Sequence, residues 1–469
     1  MFIEKRPSIW RPFFLKYFGL SKPALSLIRV KLAYCVLGMK FPLIQLTLSL
    51  FFLVTIVCGQ GPLVSEIQII GNEVTKKYVI LREIQHPTGV LLDSAIAVAD
   101  RDRIENLGIY SIVDWQAVPL ENGTVRLKYN VIESSRFFPV LAPSYVENTG
   151  WSIVFGGVVK NVRGRNESLR IGGLIGGVDA YGVDFNNPWI FSDHVSLSLG
   201  VGKAYFNHRF LPYVQQTSSF EINMGRYFGY QKQISVGFEY EKKDFVEDTT
   251  TIKYHYLAPQ SRFTYDSRDI YNDPSKGIYV FHFAQYFNYF NVESHSIMWI
   301  QSYSAFVSPI KGKRKTTFGV NITLHSTHGD LNREMFMVGL GGGYSVRGWR
   351  IETRELFKDK KQPYRFGFFS AVSSLELRQT VIPRFSIELP TLFGPVKSAL
   401  GLQAVLFIDG GVVGDNWNDL TEISPMFGVG LGVRIPVALA GNMRFDYGWS
   451  FYEGAVVESA FHLAVGQKF

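Results

Sequence analysis

The chain has 469 residues and contains 38 Phe, 24 Tyr, 8 Trp and 44 Gly, while charged residues make up only 19% of it. This length allows one large domain and a small one, and the aromatic and glycine content, without long helical periodicity, favours a mainly β chain. The formal charge of +8 is concentrated in residues 1–40, so it argues against a nucleic-acid partner for the rest of the chain. Only Cys35 and Cys58 are present, which excludes a disulfide framework or a thiol nucleophile after residue 58.

The N-terminus is organised like an export signal. A segment from Met39 to Gly59 begins with the positive charge of Lys40, continues with an apolar run and ends on a small residue. These are the three parts of a secretory signal peptide, although an apolar run of about 18 residues could also span a bilayer. We expect residues 39–59 to be a signal peptide and residues 1–38 to be an extension or a mis-assigned start.

Residues 60–136 have the pattern of a small α+β domain. Alternation over residues 65–69 predicts a strand, and two stretches with helical spacing follow, Lys76–Gln85 and Leu92–Leu107. Two further strands, Ser111–Pro119 and Thr124–Ile132, flank a hairpin signal. The order β-α-α-β-β resembles a POTRA (polypeptide-transport-associated) domain. A generic small α+β domain is the alternative.

Residues 137–469 predict a long array of antiparallel strands. Segments in which large apolar residues alternate with small or polar ones recur between turns, for example over residues 195–202, 234–240, 427–435 and 443–451. The polar face is mostly Ser and Gly, and this favours a transmembrane β-barrel, in which lipid covers the apolar face, over a soluble sandwich with a charged outer face. At roughly 20 residues per strand and loop, the segment accommodates about 16 strands.

One glycine-rich stretch, Gly339–Arg350, places an arginine within a loop. Three consecutive glycines precede Val346, Arg347, Gly348 and Trp349. Glycine permits positive φ and close backbone approach, so we expect a loop that folds tightly onto another surface and holds the Arg347 guanidinium in one place. An ordinary surface turn is the alternative. The glycine spacing does not match a phosphate-binding loop.

The layout of an exported POTRA-like domain followed by a barrel is similar to that of the BamA-like outer-membrane assembly factors, within the bacterial surface antigen superfamily. Residues 346–349 resemble the most diagnostic motif of that family, an extracellular loop that folds back into the barrel lumen. Other segments that resemble family motifs follow in the expected order, at residues 185–189, 265–269, 407–411 and 443–447.

This resemblance implies a location and a set of partners. The chain would lie in the bacterial outer membrane, with its POTRA-like domain in the periplasm. Its partners would be outer-membrane lipids and lipopolysaccharide, unfolded client β-barrel proteins and periplasmic accessory proteins. No cofactor, metal or nucleic acid is implied. The chain departs from the best-known family member in having one POTRA-like unit rather than several, which leaves its accessory partners open.

The resemblance also implies that Arg347 pairs in the lumen with Asp409, Asp446 or both. Alternation over residues 443–447 places Asp446 opposite the large apolar side chains, so it faces the lumen. The direction of Asp409 is ambiguous, because its neighbours in both phases are apolar. Such a pair would fix the position of the loop. Two unrelated charges, each solvated in place, are the alternative.

The barrel closes by pairing its first strand with its last. We expect the first strand at Trp151–Val159, where Gly156 and Gly157 weaken pairing. Residues 460–469 alternate and end on an aromatic residue, like the terminal strands by which outer-membrane proteins are recognised for assembly. The residues that carry this terminal pattern are Phe461, Leu463, Gly466 and Phe469.

A weakly paired seam predicts an edge on which another strand can add. We therefore expect client strands to add at the seam, and we expect no enzymatic activity, because this role makes and breaks no covalent bond. His325 and His328 have weak metal-ligand spacing, and we interpret them as loop residues. The alternatives are a dedicated exporter like the two-partner secretion transporters, a passive porin and a structural surface antigen.

Overall fold

The computed structural model describes residues 61–146, 149–191, 194–207, 213–248, 250–330, 332–351, 365–391, 394–437 and 441–469. Within it, Leu63–Phe469 forms one compact unit. The predicted extension at residues 1–38 and the predicted signal peptide at residues 39–59 lie outside the described residues.

The unit begins with a small α+β domain. Strand β1 (Val64–Ile70) precedes helices α1 (Lys77–Leu81) and α2 (Ser94–Asn106), and strands β2 (Tyr110–Pro119) and β3 (Val125–Glu133) follow. The central strand β3 pairs in parallel with β1 and antiparallel with β2. The predicted order β-α-α-β-β is therefore confirmed.

The first helix is shorter than predicted, and a buried carboxylate explains why. Asp100 on α2 accepts hydrogen bonds from the backbone N–H groups of Gln85 and His86, at 2.9 and 3.0 Å, and from the Tyr129 hydroxyl at 2.9 Å. Backbone donors bound to a side chain are not available to continue a helix. The segment after α1 instead packs on α2 through Asp100.

Sixteen antiparallel strands make up the rest of the fold, and their order in the sheet is their order in the chain. They are β4 (Phe137–Val146), β5 (Gly150–Val162), β6 (Glu167–Gly176), β7 (Val178–Phe191), β8 (Val195–Asn207), β9 (Val214–Phe228), β10 (Lys232–Glu247), β11 (Thr250–Asp266), β12 (Gly277–Tyr289), β13 (His295–Ile310), β14 (Thr316–Gly329), β17 (Phe369–Thr391), β18 (Gly394–Gly414), β19 (Met426–Val437), β20 (Gly441–Tyr452) and β21 (Ala455–Val465). The predicted number of strands is confirmed.

Four shorter elements lie in the described connections between the long strands. β15 (Val338–Gly339) and β16 (Phe366–Gly367) form a separate two-stranded pair between β14 and β17, beside helix α3 (Arg333–Phe336). Helix α4 (Asp419–Glu422) follows β18. In the parts of the chain that the structure describes, no helix has the length and apolarity needed to cross a bilayer.

The sheet is apolar outside and polar inside. Along β10 the large side chains of Ile234, Val236 and Phe238 are exposed, whereas Gln260 of β11 and Gln285 of β12 are buried on the other face. A sheet that faced water would show the opposite distribution. The exposed apolar face therefore fits lipid, and the inner face encloses a polar lumen.

Contacts between strands that are distant in sheet order show that the sheet curls around this lumen. The Phe469 ring, which follows β21, stacks on Phe306 of β13 with 5.9 Å between the ring centroids. The Asn442 side chain of β20 donates to the Asn272 carbonyl between β11 and β12, at 2.7 Å. β4 and β21 nevertheless stand at the two edges of the sheet, and the described residues contain no ladder that joins them.

The prediction that the first strand lies at Trp151–Val159 is wrong. Those residues belong to β5, the second strand, which pairs with β4 on one side and β6 on the other. Gly156 and Gly157 are thus inside the sheet and not at its edge. At Gly156 a Cβ would overlap the backbone of β6, so this glycine allows two strands to approach closely. The true first strand was missed because its two prolines disguise the strand pattern.

The last strand also ends earlier than predicted. β21 stops at Val465, and Gly466 turns the chain with φ +89°. Phe461 and Leu463 are exposed on the outer face, but Phe469 is folded into the lumen against Phe306. The terminal aromatic residue is therefore not part of the outward strand pattern, because the strand alternation ends at the glycine turn.

The small domain packs on the turns at one end of the sheet. The Asn106 side chain donates to the Asp269 carbonyl at 2.8 Å and accepts from the Tyr271 N–H at 2.9 Å, both between β11 and β12. The Lys76 N–H donates to the Gly164 carbonyl, between β5 and β6, at 2.9 Å. These bonds tie α1 and α2 to separate turns of the sheet.

An aromatic stack reinforces this junction. The Arg82 guanidinium lies 4.2 Å from the Trp189 ring, which stacks on His194 at 3.7 Å. His194 stacks in turn on Tyr227 at 3.9 Å. Because a cation over an aromatic face stabilises most where water is excluded, the stack holds the small domain in one orientation.

Glu83 makes the junction sensitive to pH. Burial raises the pKa of its carboxyl to about 7, although Arg82 and Arg103 oppose the shift. Between about pH 4.5 and pH 7 the folded protein keeps a proton on Glu83 that the unfolded chain has released. This proton stabilises the folded state fully below about pH 4.5, and the stabilisation is lost as the pH rises through about 7. We expect the free energy of unfolding of the small domain to fall by about 3 kcal/mol over this window in the parent and to stay level in Glu83→Gln.

Hydrogen exchange of the core amides of Leu127 and Tyr129, corrected for the intrinsic effect of pH, measures this free energy. Glu121→Gln, which alters an exposed acid in the same domain, is the matched control and should behave like the parent. If the free energy of unfolding fell by the same amount in Glu83→Gln as in the parent, Glu83 would not be the group that makes the junction sensitive to pH.

Candidate functional site

The stretch Gly339–Arg350 is a compact loop inside the lumen. Gly341, Gly342 and Gly348 all have positive φ, at +124°, +84° and +94°. The loop closes on itself through a hydrogen bond from the Gly342 N–H to the Trp349 carbonyl, at 2.9 Å. A side chain at these glycines would be strained, so the sequence fixes the loop geometry locally.

The loop approaches the inner face of β19 and β20 so closely that only glycine fits there. A Cβ at Gly428 would overlap the Arg347 carbonyl oxygen, and a Cβ at Gly448 would lie 2.9 Å from the Gly348 Cα. The glycines that alternate with large residues along these strands therefore do more than line a polar lumen. It provides the surface on which the loop packs.

Arg347 is buried with its side chain 0% exposed, and it makes a two-pronged contact with Asp409. The Arg347 Nε donates to Asp409 Oδ2 at 2.7 Å and Nη2 donates to Oδ1 at 3.0 Å. The Arg347 backbone N–H also donates to Oδ2, at 3.0 Å. Paired bonds of this kind are among the strongest and most directional in proteins.

The same guanidinium reaches two more carboxylates. Arg347 Nη1 donates to Glu376 Oε1 at 2.6 Å and lies 3.4 Å from Asp446 Oδ2. Its Cζ is 3.7 Å from the centre of the Phe407 ring, in a cation–π contact. The structure thus brings Arg347 together with both Asp409 and Asp446, and the direction of Asp409, ambiguous in the sequence, is inward.

The alternation already places Arg434 and Arg444 on the lumen face, whereas two other members of this charge cluster, Glu376 and Arg378, were missed by the sequence reasoning. Arg434 contacts Asp446 and lies 3.2 Å from Glu376, while Arg378 Nε donates to Glu376 at 2.8 Å. Glu376 and Arg378 occupy one phase of β17, with Leu375 and Leu377 in the other, so the alternation could have revealed them.

Lys468 could not have been found in that way. Its Nζ lies 2.8 Å from Asp409 Oδ2 only because the chain turns inward after β21. The cluster as described contains five cations and three carboxylates, and Arg444 is the fifth cation. Its carboxylates are neutralised by neighbouring cations already in place, which suits the cluster to anchoring a loop.

The loop also bonds directly to the last strands. The Trp349 indole N–H donates to the Phe427 carbonyl of β19 at 2.8 Å, and the Gly348 N–H donates to His462 Nε2 of β21 at 3.0 Å. Arg444 Nη2 of β20 donates to the Gly343 carbonyl at 2.8 Å. Together with the carboxylates on β17, β18 and β20, these contacts join the loop to every strand from β17 to β21.

The two histidines that the sequence suggested as loop residues lie in β14. His325 Nε2 is 3.2 Å from the Thr327 hydroxyl, and the His328 ring packs on Phe369 at 5.1 Å. Residues three apart on a strand point to opposite faces. Within the described ranges, no group of three or more His, Cys, Asp or Glu side chains could hold a metal ion.

We expect Arg347→Ala to release the loop. Removing one partner of a buried ion pair leaves the other charges uncompensated, at a cost of roughly 3–5 kcal/mol. In a background with serine at positions 35 and 58, maleimide labelling of Val346→Cys, a buried position, reports loop opening. Labelling should be roughly a hundredfold faster, or more, in Arg347→Ala than in the parent.

Arg350→Ala is the matched control, because the Arg350 side chain is on the same loop, is 61% exposed and lies 4.0 Å from Glu458. An exposed pair of this kind is worth about 0–1 kcal/mol, so labelling should change little. If Arg347→Ala labelled no faster than Arg350→Ala, the buried cluster would not be what holds the loop.

Comparison with known proteins agrees with this fold. The model of the Omp85 superfamily domain matches residues 161–469, and that of a POTRA domain, described as surface antigen variable number repeat, matches residues 62–134. Among solved structures, BamA from Haemophilus ducreyi lacking POTRA domains 1–3 has a TM-score of 0.51 at 15% identity, and the match covers 86% of this chain and 84% of that one. CdiB from Escherichia coli has a TM-score of 0.56 at 11% identity, covering 87% and 76%.

Two curated relatives bear the name outer membrane protein assembly factor BamA. The one from Neisseria meningitidis serogroup B is 30% identical over 164 residues, which are 34% of this chain and 20% of the relative. The one from Nitratidesulfovibrio vulgaris is 24% identical over 439 residues, which are 87% of this chain and 51% of the relative. The chain thus spans at most about half the length of these relatives. Since the superfamily domain covers well over half of it, the chain belongs to the Omp85 superfamily.

Proposed function

We propose that the protein assists the insertion of client β-barrel proteins into the outer membrane, at the edges of β4 and β21. The observation that carries the proposal is the sheet order, which leaves these two strands at its ends with no ladder between them in the described residues. The names of the curated relatives, outer membrane protein assembly factor, support it. Unfolded client barrels are accordingly the proposed partners.

The physical basis is the cost of unpaired backbone groups in lipid. Each N–H or C=O group without a partner in hydrocarbon costs several kcal/mol. A strand edge that faces lipid is therefore satisfied by any extended segment that pairs with it. A client strand can gain this stabilisation before its own barrel has closed.

The lumen loop makes one side of the seam rigid. It is bonded to β17–β21, through Glu376, Asp409 and Asp446 among others. The strands next to β4 lack such an anchor in the loop residues described. We infer that opening of the seam moves β4 and its neighbours, while β21 keeps its place.

The small domain and the outer surface of the sheet provide for the other proposed partners. The POTRA domain, docked on the turns at one end of the sheet, suits capture of clients on the periplasmic side, with accessory proteins as further partners. The exposed apolar face suits outer-membrane lipids and lipopolysaccharide. We propose no enzymatic activity, since the charged groups of the lumen bind one another and the loop.

A dedicated exporter is the second candidate, favoured by the likeness to CdiB in fold. Passage of a chain through the lumen would require the loop to leave its buried ion pairs. A passive porin would face the same obstacle. For this reason we rank assembly at the seam above transport through the pore.

Reconstitution distinguishes these candidates. We expect liposomes that contain the protein to increase, several-fold, the rate at which a urea-unfolded client barrel becomes protease-resistant. A bis-maleimide crosslink between Leu141→Cys on β4 and Leu463→Cys on β21 should abolish the increase. The control joins Leu463→Cys to Phe445→Cys, its partner in the existing β20–β21 ladder, and should preserve it.

Steady ion conductance without faster client folding would instead indicate a porin. Transfer of a passenger protein into the liposomes, again without faster client folding, would indicate an exporter.

A further inference from the structure

Strand β10 shows how high the lipid-facing band of the sheet is. Its first residue, Lys232, lies next to the small domain, because the Tyr230 hydroxyl in the preceding turn donates to the Arg82 carbonyl at 2.8 Å. Lys242 is ten residues further along the strand and has the same outward phase. Ten residues span about 34 Å, or about 26 Å in height at a strand tilt of about 40°. The two lysines therefore mark the two boundaries of an apolar band of the height that lipid requires.

A row of hydrogen-bond donors crosses the outer face at the height of Lys242. The register of four neighbouring strands aligns the residues Tyr181, Lys203, Ser218 and Lys242. All four have the outward phase of their strands, so their side chains stand side by side. Amphipathic side chains in this position lie at the level of the lipid headgroups.

Directly below this row, toward the small domain, the outer face contains a groove. Val201, Phe220 and Tyr240 are exposed there, two residues from the donors on β8, β9 and β10. Together with Phe155 and Ile171 they line a volume of about 740 Å³. Lys203, Ser218 and Lys242 also line it, so the groove is apolar below and cationic at one end.

Glycines on the lumen face explain the position of the groove. Gly172, Gly182 and Gly202 are paired with one another across β6, β7 and β8. A Cβ at Gly172 would lie 2.5 Å from the Phe155 carbonyl oxygen of the neighbouring strand. Strands without side chains on one face can approach closely and bend there. The sheet therefore bends toward the lumen at this row, and the outer face is left hollow.

The two lysines of the groove are available to an anion. Lys203 contacts the Tyr205 ring at 5.1 Å, and in the described part of the chain neither Lys203 nor Lys242 forms an ion pair. Lys243, on the lumen face of β10, is by contrast 3.2 Å from Glu241. Two strand spacings, about 10 Å, separate the backbones of the two outward lysines. Their flexible four-carbon stems allow both ammonium groups to reach one anion between them.

We propose that this groove binds the lipid A part of lipopolysaccharide, with a phosphate between Lys203 and Lys242 and an acyl chain against Val201 and Phe220. Paired ammonium groups at the end of an apolar groove match an anionic headgroup attached to a hydrocarbon chain. The groove lies at the end of the sheet away from the POTRA domain, and this places its lipid in the outer leaflet, which lipopolysaccharide forms. The inference rests on the outer-membrane location that the proposed function requires, and it gives one proposed partner a site.

Titration of the protein in detergent with purified lipid A, followed by native mass spectrometry, measures this binding. The double variant Lys203→Gln and Lys242→Gln should raise the Kd at least about tenfold, because it removes two charge-assisted hydrogen bonds to the phosphate. Lys232→Gln is the matched control, since it lies on the same strand and face at the opposite boundary, and it should bind like the parent. Equal affinity of the parent and the double variant would overturn the site.

The role of the groove is tested by filling it. Val201→Trp should weaken lipid A binding several-fold, because the larger side chain takes the space of an acyl chain. Val236→Trp is the control, since Val236 is similarly exposed on the lipid face but does not line the groove. If both tryptophan variants bound lipid A like the parent, the groove would not hold an acyl chain.

Two further lipids test the identity of the ligand. Dephosphorylated lipid A and phosphatidylglycerol should each bind at least about tenfold more weakly than lipid A, since the first lacks the phosphates and the second lacks the acylated sugar. Equal affinity for phosphatidylglycerol would overturn the assignment to lipopolysaccharide.

These measurements need no client, so they are independent of the assembly function. Lipid A binding as expected, in a protein that does not speed client folding in liposomes, would refute the assembly function alone. Faster client folding together with equal lipid A binding by the parent and the double lysine variant would refute the lipid site alone.

Discussion

The structure depends on a buried arginine that is surrounded by three carboxylates. Arg347 cannot lose its charge, so its burial in the lumen is tolerated only because Asp409, Glu376 and Asp446 receive its donors. These carboxylates stand on three different strands of the last five. The ion pairs therefore hold the loop and also fix those strands relative to one another. Without this arrangement the lumen would contain a solvated hairpin with no defined position.

This anchor makes the two sides of the seam unequal. On one side, β21 is held by the loop, by its ladder to β20 and by the inward tail that contains Lys468. On the other side, β4 follows directly from the POTRA domain and contains Pro139 and Pro143.

The sequence predicted the architecture well because that architecture repeats. Alternation of apolar with small residues recurs strand after strand, and the glycine-rich loop and its arginine stand out by composition. Asp446 could be assigned to the lumen from its phase alone. The first strand could not be found, since Pro139 and Pro143 break the pattern for a reason that appears only at the free edge of a sheet. Lys468 and Phe469 were likewise out of reach, because a single glycine turn moves them off the strand and into the lumen.

The central claim, that Arg347 and Asp409 form one energetic unit inside the lumen, is tested most directly by a double-mutant cycle. The free energy of loop opening would be measured for the parent, Arg347→Ala, Asp409→Ala and the double variant. The account predicts that the two single changes are far from additive, with a coupling energy of about 2 kcal/mol or more. A coupling energy near zero would mean that the two side chains are independent and that something else positions the loop.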